Sequence, residues 1–244
     1  MLVKACLNGA RSPAEHPALP VTPAELAAEA SAAVAAGAGA LHFHPRDGGG
    51  EETLAAAGVA AAVEAVRAAC PGVPLGVSTG LWITHGDPER RLAEIAGWDG
   101  PGRPDFASVN LSEEGAGEVA AALRAAGVGV EAGTWSEENA ELVAAGALGG
   151  DPVRILIEPQ EDDSGAAVAR AAAIERALSD RGVPGPRLHH GYGAATWAVL
   201  AAALERGRDI RVGLEDTLEL PDGSTASGNG ELVAAAMRLV REAA

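Results

Sequence analysis

Residues 2–44 read LVKACLNGARSPAEHPALPVTPAELAAEASAAVAAGAGALHFH. Two apolar runs, Leu2–Leu7 and Ala40–His44, flank one Ala-rich stretch. Within it, Thr22-Pro23-Ala24-Glu25 supplies an N-cap, a proline at the first helical position and an acid at the third. The spacing predicts a helix from Thr22 to about Ala36, stopped at Gly37 and Gly39. Strand, helix and strand make one βαβ unit. Continuous apolar strands of this kind imply a parallel sheet covered by helices.

The alternation repeats outward from there. Further strands are predicted at Pro74–Ser78, Phe106–Asn110, Gly127–Ala132, Val153–Glu158, Arg187–His190 and Ile210–Leu214. Helices are predicted at Ala55–Ala69, Pro88–Ile95, Gly115–Ala126, Ser136–Ala145, Ala166–Arg181, Ala194–Glu205 and Gly230–Glu242. Eight βα units of about 30 residues each match an α/β fold, one (β/α)₈ TIM barrel over residues 1–244. An open doubly wound sheet is the runner-up. No Gly-x-Gly-x-x-Gly follows the first strand to favour it.

Composition narrows the function. Lys and Arg number 18 against 34 Asp and Glu, a net charge of −16. So acidic a chain is poorly suited to nucleic acid or an anionic membrane surface. Aromatic residues are 3%, so the core must be built from Ala, Val, Leu and Ile. Cys6 and Cys70 form neither a disulfide framework nor a Cys-type zinc site, which suits a reducing compartment. MLVKACLNGARSPAEH lacks a signal-peptide apolar core, and no apolar run approaches the roughly 18 residues of a membrane span. The expectation is a cytoplasmic protein acting on small molecules, with no nucleic-acid or membrane partner.

A barrel carries its active site at the C-terminal ends of its strands. There this sequence places Asn8, His42-Phe43-His44-Pro45-Arg46-Asp47, Ser78-Thr79, Ser108-Val109-Asn110, Glu131, Glu158, His189-His190 and Glu215-Asp216. His42 and His44 are two apart on one strand, so both imidazoles point to the same side. With a carboxylate they would make a three-ligand site with an open position, as in catalytic zinc centres. Glu215 ends the eighth strand and closes that triad if the barrel is right. Alone, a His-x-His pair is more often one hydrogen-bonded and one solvated histidine. Arg211 shares the parity of Glu215, so it could face the interior, hold a substrate carboxylate and keep Asp216 ionised as a base. A surface Arg–Asp pair is the competing reading. Asn8, Arg46, Thr79, Ser108 and Asn110 are the candidate substrate contacts. One of His189 and His190 lines the interior at most, and a structural role is expected for His190. His16 and His85 fall in loops and are expected to be solvated.

The set Asn8-Gly9-Ala10, His-Pro-Ala-Leu-Pro-Val-Thr-Pro (16–23), His42-x-His44-x-Arg46-Asp47, Ser78-Thr79-Gly80 and Val212-Gly213-Leu214-Glu215-Asp216 resembles the β-keto acid cleavage enzyme family. The likeness implies a zinc-dependent barrel, usually a homotetramer. It would condense a β-keto acid with acetyl-CoA, giving acetoacetate and a new acyl-CoA. It makes His42, His44 and Glu215 the Zn²⁺ ligands and Asp216 the base, with Arg211 beside it. Ser78 would hold substrate, Glu131 would support the acid–base network, and Ser108 matches a hydroxyl position. A metal-dependent lyase, aldolase-like enzyme or isomerase without CoA is the alternative, and a binding barrel without catalysis another. One stretch departs from the likeness: Ile157-Glu158-Pro159-Gln160-Glu161-Asp162-Asp163 is acidic where glycines are expected. Four carboxylates on a CoA path would repel its phosphates.

Overall fold

The first helix forms as its sequence dictates. Thr22 Oγ1 accepts from Glu25 N at 3.3 Å, and Glu25 Oε2 accepts from Thr22 N at 2.9 Å. Gly37, at φ 117°, ends it in the left-handed conformation. A computed structural model of the chain describes residues 1–243. Among them, eight parallel strands close into a barrel in sequence order, β8 pairing with β1. The strands are β1 (Val3–Cys6), β2 (Ala40–Phe43), β3 (Leu75–Ser78), β4 (Phe106–Asn110), β5 (Gly129–Thr134), β6 (Arg154–Ile157), β7 (Arg187–His189) and β8 (Asp209–Val212). The helices are α1 (Pro23–Ala36), α2 (Ala56–Ala69), α3 (Pro88–Ile95), α4 (Ala116–Ala125), α5 (Glu137–Ala144), α6 (Ser164–Asp180), α7 (Thr196–Leu204) and α8 (Asn229–Glu242). The (β/α)₈ barrel expected from the sequence is the fold.

Several boundaries differ from expectation by one or two residues, two of them for clear local reasons. The fifth strand starts at Gly129 because Gly127, at φ 72°, still belongs to the turn after α4. Helix α6 starts at Ser164 because the Asp163 carboxylate caps it, accepting from Ala166 N at 2.8 Å. Among the described residues no helix is long and apolar enough to cross a membrane.

Strand parity separates two environments. Val3, Ala5, Leu41, Phe43, Leu75, Val77, Ala107, Ile155 and Ile210 face outward into one continuous apolar cluster with the helices. The opposite parity faces the barrel axis and is largely polar. Lys4 on β1 reaches across to Glu131 on β5, with Nζ 2.7 Å from Oε2. Arg154 on β6 donates to the other oxygen of Glu131. Lys4 and Glu131 are fully buried, and the Phe106 ring lies 5.7 Å from each of the two cations. Most barrel interiors are filled with branched apolar side chains. This one spends its axis on charge, and the outer layer supplies the hydrophobic burial.

Candidate active site

Above the ion cluster the axis opens into a cavity of about 340 Å³, at the C-terminal ends of the strands. That is the small end of the range for ligand pockets. His42, the third residue of β2, is 1% exposed, and His44, just past the strand, is 4% exposed. Both line the cavity, as their shared parity requires. Glu215 arrives from beyond β8. His42 Nε2 lies 3.8 Å from Glu215 Oε2, and His44 Nε2 lies 3.7 Å from Glu215 Oε1.

These separations are too long for hydrogen bonds. They sit within a few tenths of the roughly 3.4 Å between neighbouring ligands on a tetrahedral ion with bonds of about 2.1 Å. One ligand atom from each residue falls within 4.8 Å of the others. Glu215 Oε2 is buried without a hydrogen-bond partner. Burial, and then His44 and Arg211, push the His42 pKa well below its usual value, so its imidazole is a neutral donor. The triad fits a divalent metal ion.

Arg211, facing inward from β8, organises the carboxylates. Its Nε donates to Asp216 Oδ1 at 3.1 Å and its Nη2 to the same oxygen at 2.8 Å. Nη2 also donates to Glu215 Oε1. Asp216 is fully buried, and His190 Nδ1 lies 3.4 Å from its Oδ1. Burial alone would raise the Asp216 pKa, but Arg211 and His190 hold it well below the usual carboxylate range. His190 stands between two acids, with Nε2 3.4 Å from Glu158 Oε1. Burial and Arg211 would lower its pKa, and Glu158 and Asp216 outweigh them and raise it. Glu158 also accepts from Trp135 Nε1 at 2.9 Å.

Arg211, Ser78, Ser108 and Asn110 all line the cavity, as expected from their strand-end positions. Five other expected residues do not. Asp216 lies immediately behind the wall, screened by Arg211. Glu131 is one layer deeper, consumed by Lys4 and Arg154. Thr79 turns away and donates to the Ser108 carbonyl at 2.6 Å. Asn8 staples the His44 backbone, donating to its carbonyl at 2.9 Å and accepting from its N–H at 2.8 Å. Arg46 donates to the Gly9 and Arg11 carbonyls, at 2.6 and 3.0 Å, and so ties the first two loops together. His16 is not solvated but buried, its Nε2 2.8 Å from the Ala226 carbonyl. His85 is exposed, with a left-handed φ of 57°.

Sequence reasoning missed Glu15, Trp82, Trp135 and Tyr192, all cavity residues, and Arg11, at the end of the first strand, joins them. The acidic rim is divided among local roles. Glu161 pairs with Arg170 at 2.7 Å, Asp163 caps α6, and Glu158 points into the cavity. Three of the four acids thus have a local partner or face the cavity, and Asp162 is exposed.

The chain has known relatives. A 3-keto-5-aminohexanoate cleavage enzyme of Fusobacterium nucleatum is 27% identical over 256 residues, covering 99% of this chain and 92% of that protein. Another, from Acetoanaerobium sticklandii, is 24% identical over 266 residues with the same coverage. Among solved structures, a ternary complex of ObcA with a C4-CoA adduct and oxalate superposes with a TM-score of 0.74 at 20% identity. That alignment covers 93% of this chain but 63% of ObcA, so this chain spans less than two thirds of it. The family described as beta-keto acid cleavage enzyme matches residues 1–150 and 163–244, skipping only the segment that holds β6 and its acidic rim. A match of that extent, carrying the His42, His44 and Glu215 triad within it, makes this chain a member of the beta-keto acid cleavage enzyme family.

Proposed function

We propose that the protein is a zinc-dependent enzyme that condenses a small β-keto acid with acetyl-CoA, giving acetoacetate and a new acyl-CoA. The observation that carries this reading is the convergence of His42, His44 and Glu215 on one point beside Arg211, in a cavity sized for a small acid. The two relatives named for cleaving 3-keto-5-aminohexanoate support the keto-acid half. ObcA with its CoA adduct supports the CoA half. His42, His44 and Glu215 would hold the ion. When bound, it would act as a Lewis acid that polarises a ketone. Zinc is the choice of the family resemblance, since two histidines and a carboxylate suit several metals. A homotetramer in a reducing cytoplasm accompanies this reading; the two cysteines, both buried and unpaired, suit that compartment.

The chain's own groups divide the remaining work. Among the described residues no protein group accepts from Arg211 Nη1, which is left for a substrate carboxylate. Ser78, Ser108 and Asn110 supply hydrogen bonds along the opposite wall. Trp135 and Tyr192 exclude water. The resemblance makes Asp216 the acceptor of the α-proton, and its carboxylate is kept ionised by Arg211 and His190 although it lies behind the wall. Glu158 is a second candidate for that proton, because it lies on the cavity wall and Asp216 lies behind it.

The test is isotopic. Metal-loaded protein is incubated with acetyl-labelled acetyl-CoA and a panel of short β-keto acids. Labelled acetoacetate with a matching new acyl-CoA is the expected product pair. Keto-acid consumption without label transfer supports the CoA-free lyase reading instead.

A further inference from the structure

The sequence after β2 turns back on itself. In Pro45-Arg46-Asp47-Gly48-Gly49-Gly50, the Asp47 side chain accepts from Gly49 N at 2.7 Å and Glu51 N at 3.1 Å. Gly50 takes φ 86°, and Arg46 and Glu52 pair as an antiparallel bridge. The reversal brings Glu52 alongside His44. Glu52 Oε1 lies 2.5 Å from His44 Nδ1. Its other oxygen, Oε2, accepts from Trp82 Nε1 at 3.0 Å. The Trp82 indole also stacks on the His44 ring, with centroids 6.3 Å apart and planes 28° from parallel.

We propose that Glu52 is the positioning residue of the metal centre, fixing His44 as the Nδ1–H tautomer with Nε2 aimed at the ion, and that Trp82 holds Glu52 there. The inference rests on the metal reading above. A neutral imidazole carries one ring proton, and an ionised carboxylate can only accept. Glu52 therefore draws that proton to Nδ1. Nε2, which faces Glu215, is left with its lone pair free. Such an outer carboxylate also fixes the ring plane and raises the donor strength of the ligating nitrogen. His42 has no equivalent, because its Nδ1 is buried without a partner. The two histidine ligands are thus unequal, and the support is invested in the one beyond the strand end. His42 is held in β2, whereas His44 is held by Asn8 through its backbone and by Glu52 through its ring.

A purely structural role for Glu52, stapling the glycine-rich turn to Trp82, makes a different prediction. The test uses long-range proton–nitrogen NMR on metal-stripped, ¹⁵N-histidine-labelled protein at a pH where the histidines are neutral. His44→Asn identifies the His44 signals. The expected parent spectrum shows His44 as Nδ1–H, and Glu52→Ala moves it to Nε2–H. Glu52→Gln, whose amide oxygen still accepts, keeps Nδ1–H. Zinc titration against a chromogenic competitor should then show affinity about 10–100-fold weaker in Glu52→Ala. Trp82→Phe should weaken it less, because the carboxylate remains. A parent spectrum with His44 as Nε2–H overturns the inference without any variant. So does a Glu52→Ala protein with lower thermal stability but unchanged tautomer and affinity, which is the staple outcome. If the parent takes up no metal, the metal reading falls, while the tautomer comparison still decides the role of Glu52.

Discussion

A β-carbon added at Gly9 would lie 2.4 Å from Cγ of Glu215 and 3.0 Å from its Cβ. Gly9 also sits at φ 57°, where side chains are strained. The first loop is therefore the seat on which the third candidate metal ligand rests. Gly9→Ala should displace Glu215 and weaken zinc binding at least 10-fold, with far-UV circular dichroism nearly unchanged. Competitor titration of the two proteins checks this. Equal affinities would mean that Glu215 is not held in place by this contact.

Asp216 and Glu158 compete for the proton-accepting role, with His190 3.4 Å from a carboxylate oxygen of each. Asp216→Asn should lower kcat by about 10²–10⁴-fold, the usual span for a general base. Glu158→Gln should lower it by less than 10-fold. Steady-state label transfer with both variants decides the assignment, and the reverse ranking moves the base to Glu158.

Glu131 is buried between two cations. Removing one partner of a buried ion cluster leaves uncompensated charge and costs about 3–5 kcal/mol. Glu131→Ala should lose that much in urea denaturation, leaving Lys4 and Arg154 unpaired. A Lys4→Met, Glu131→Leu, Arg154→Met triple variant should recover much of it. Turnover per folded molecule should change little, because Glu131 bonds only Lys4 and Arg154, below the cavity, and no cavity residue.

The acid limb of the stability curve has a local source at the other side of the barrel. Glu175 on α6 pairs with Arg187 at 2.7 Å and with His189 at 3.2 Å, and Arg208 donates to it as well. Burial would raise the Glu175 pKa, but His189 and Arg187 bring it from 4.5 to about 2. Its folded value is depressed, so its contribution is complete above about 4.5 and is lost as pH falls toward 2. Burial also lowers the His189 pKa, the Glu175 bond and charge only partly opposing it. The unfolded chain then takes up a proton below about 6.5 that the folded one resists, which moves stability the same way. Urea midpoints measured from pH 7 to 3 should fall, and Glu175→Gln should flatten the part below pH 4.5.

Much of this was legible in the sequence, and the exceptions have physical reasons. The Thr22 capping box and the glycine stops are local, so α1 could be placed from residues alone. His42-x-His44 was legible because strand parity is a local rule. Glu215 and Arg211 needed barrel closure, which eight repeated units supplied. Depth along the barrel axis was not legible. Parity put Glu131 inside, but only the stagger between strands puts it below the cavity and against Lys4. Glu52 was readable in principle, because Asp47-Gly48-Gly49-Gly50 forces a reversal. The cavity aromatics were signalled by scarcity. The chain has 4 Trp and 1 Tyr, and two of the former with the single Tyr line the site.

The most direct test of the central claim is acetoacetate formation from acetyl-CoA and a β-keto acid by protein stripped with a chelator and then titrated with zinc. Activity should vanish on stripping and return in proportion to bound metal, saturating at one ion per chain. In His42→Ala both the binding and the recovery should be lost. Activity that survives stripping, or a His42→Ala protein that still binds one ion per chain and turns over, would contradict the account.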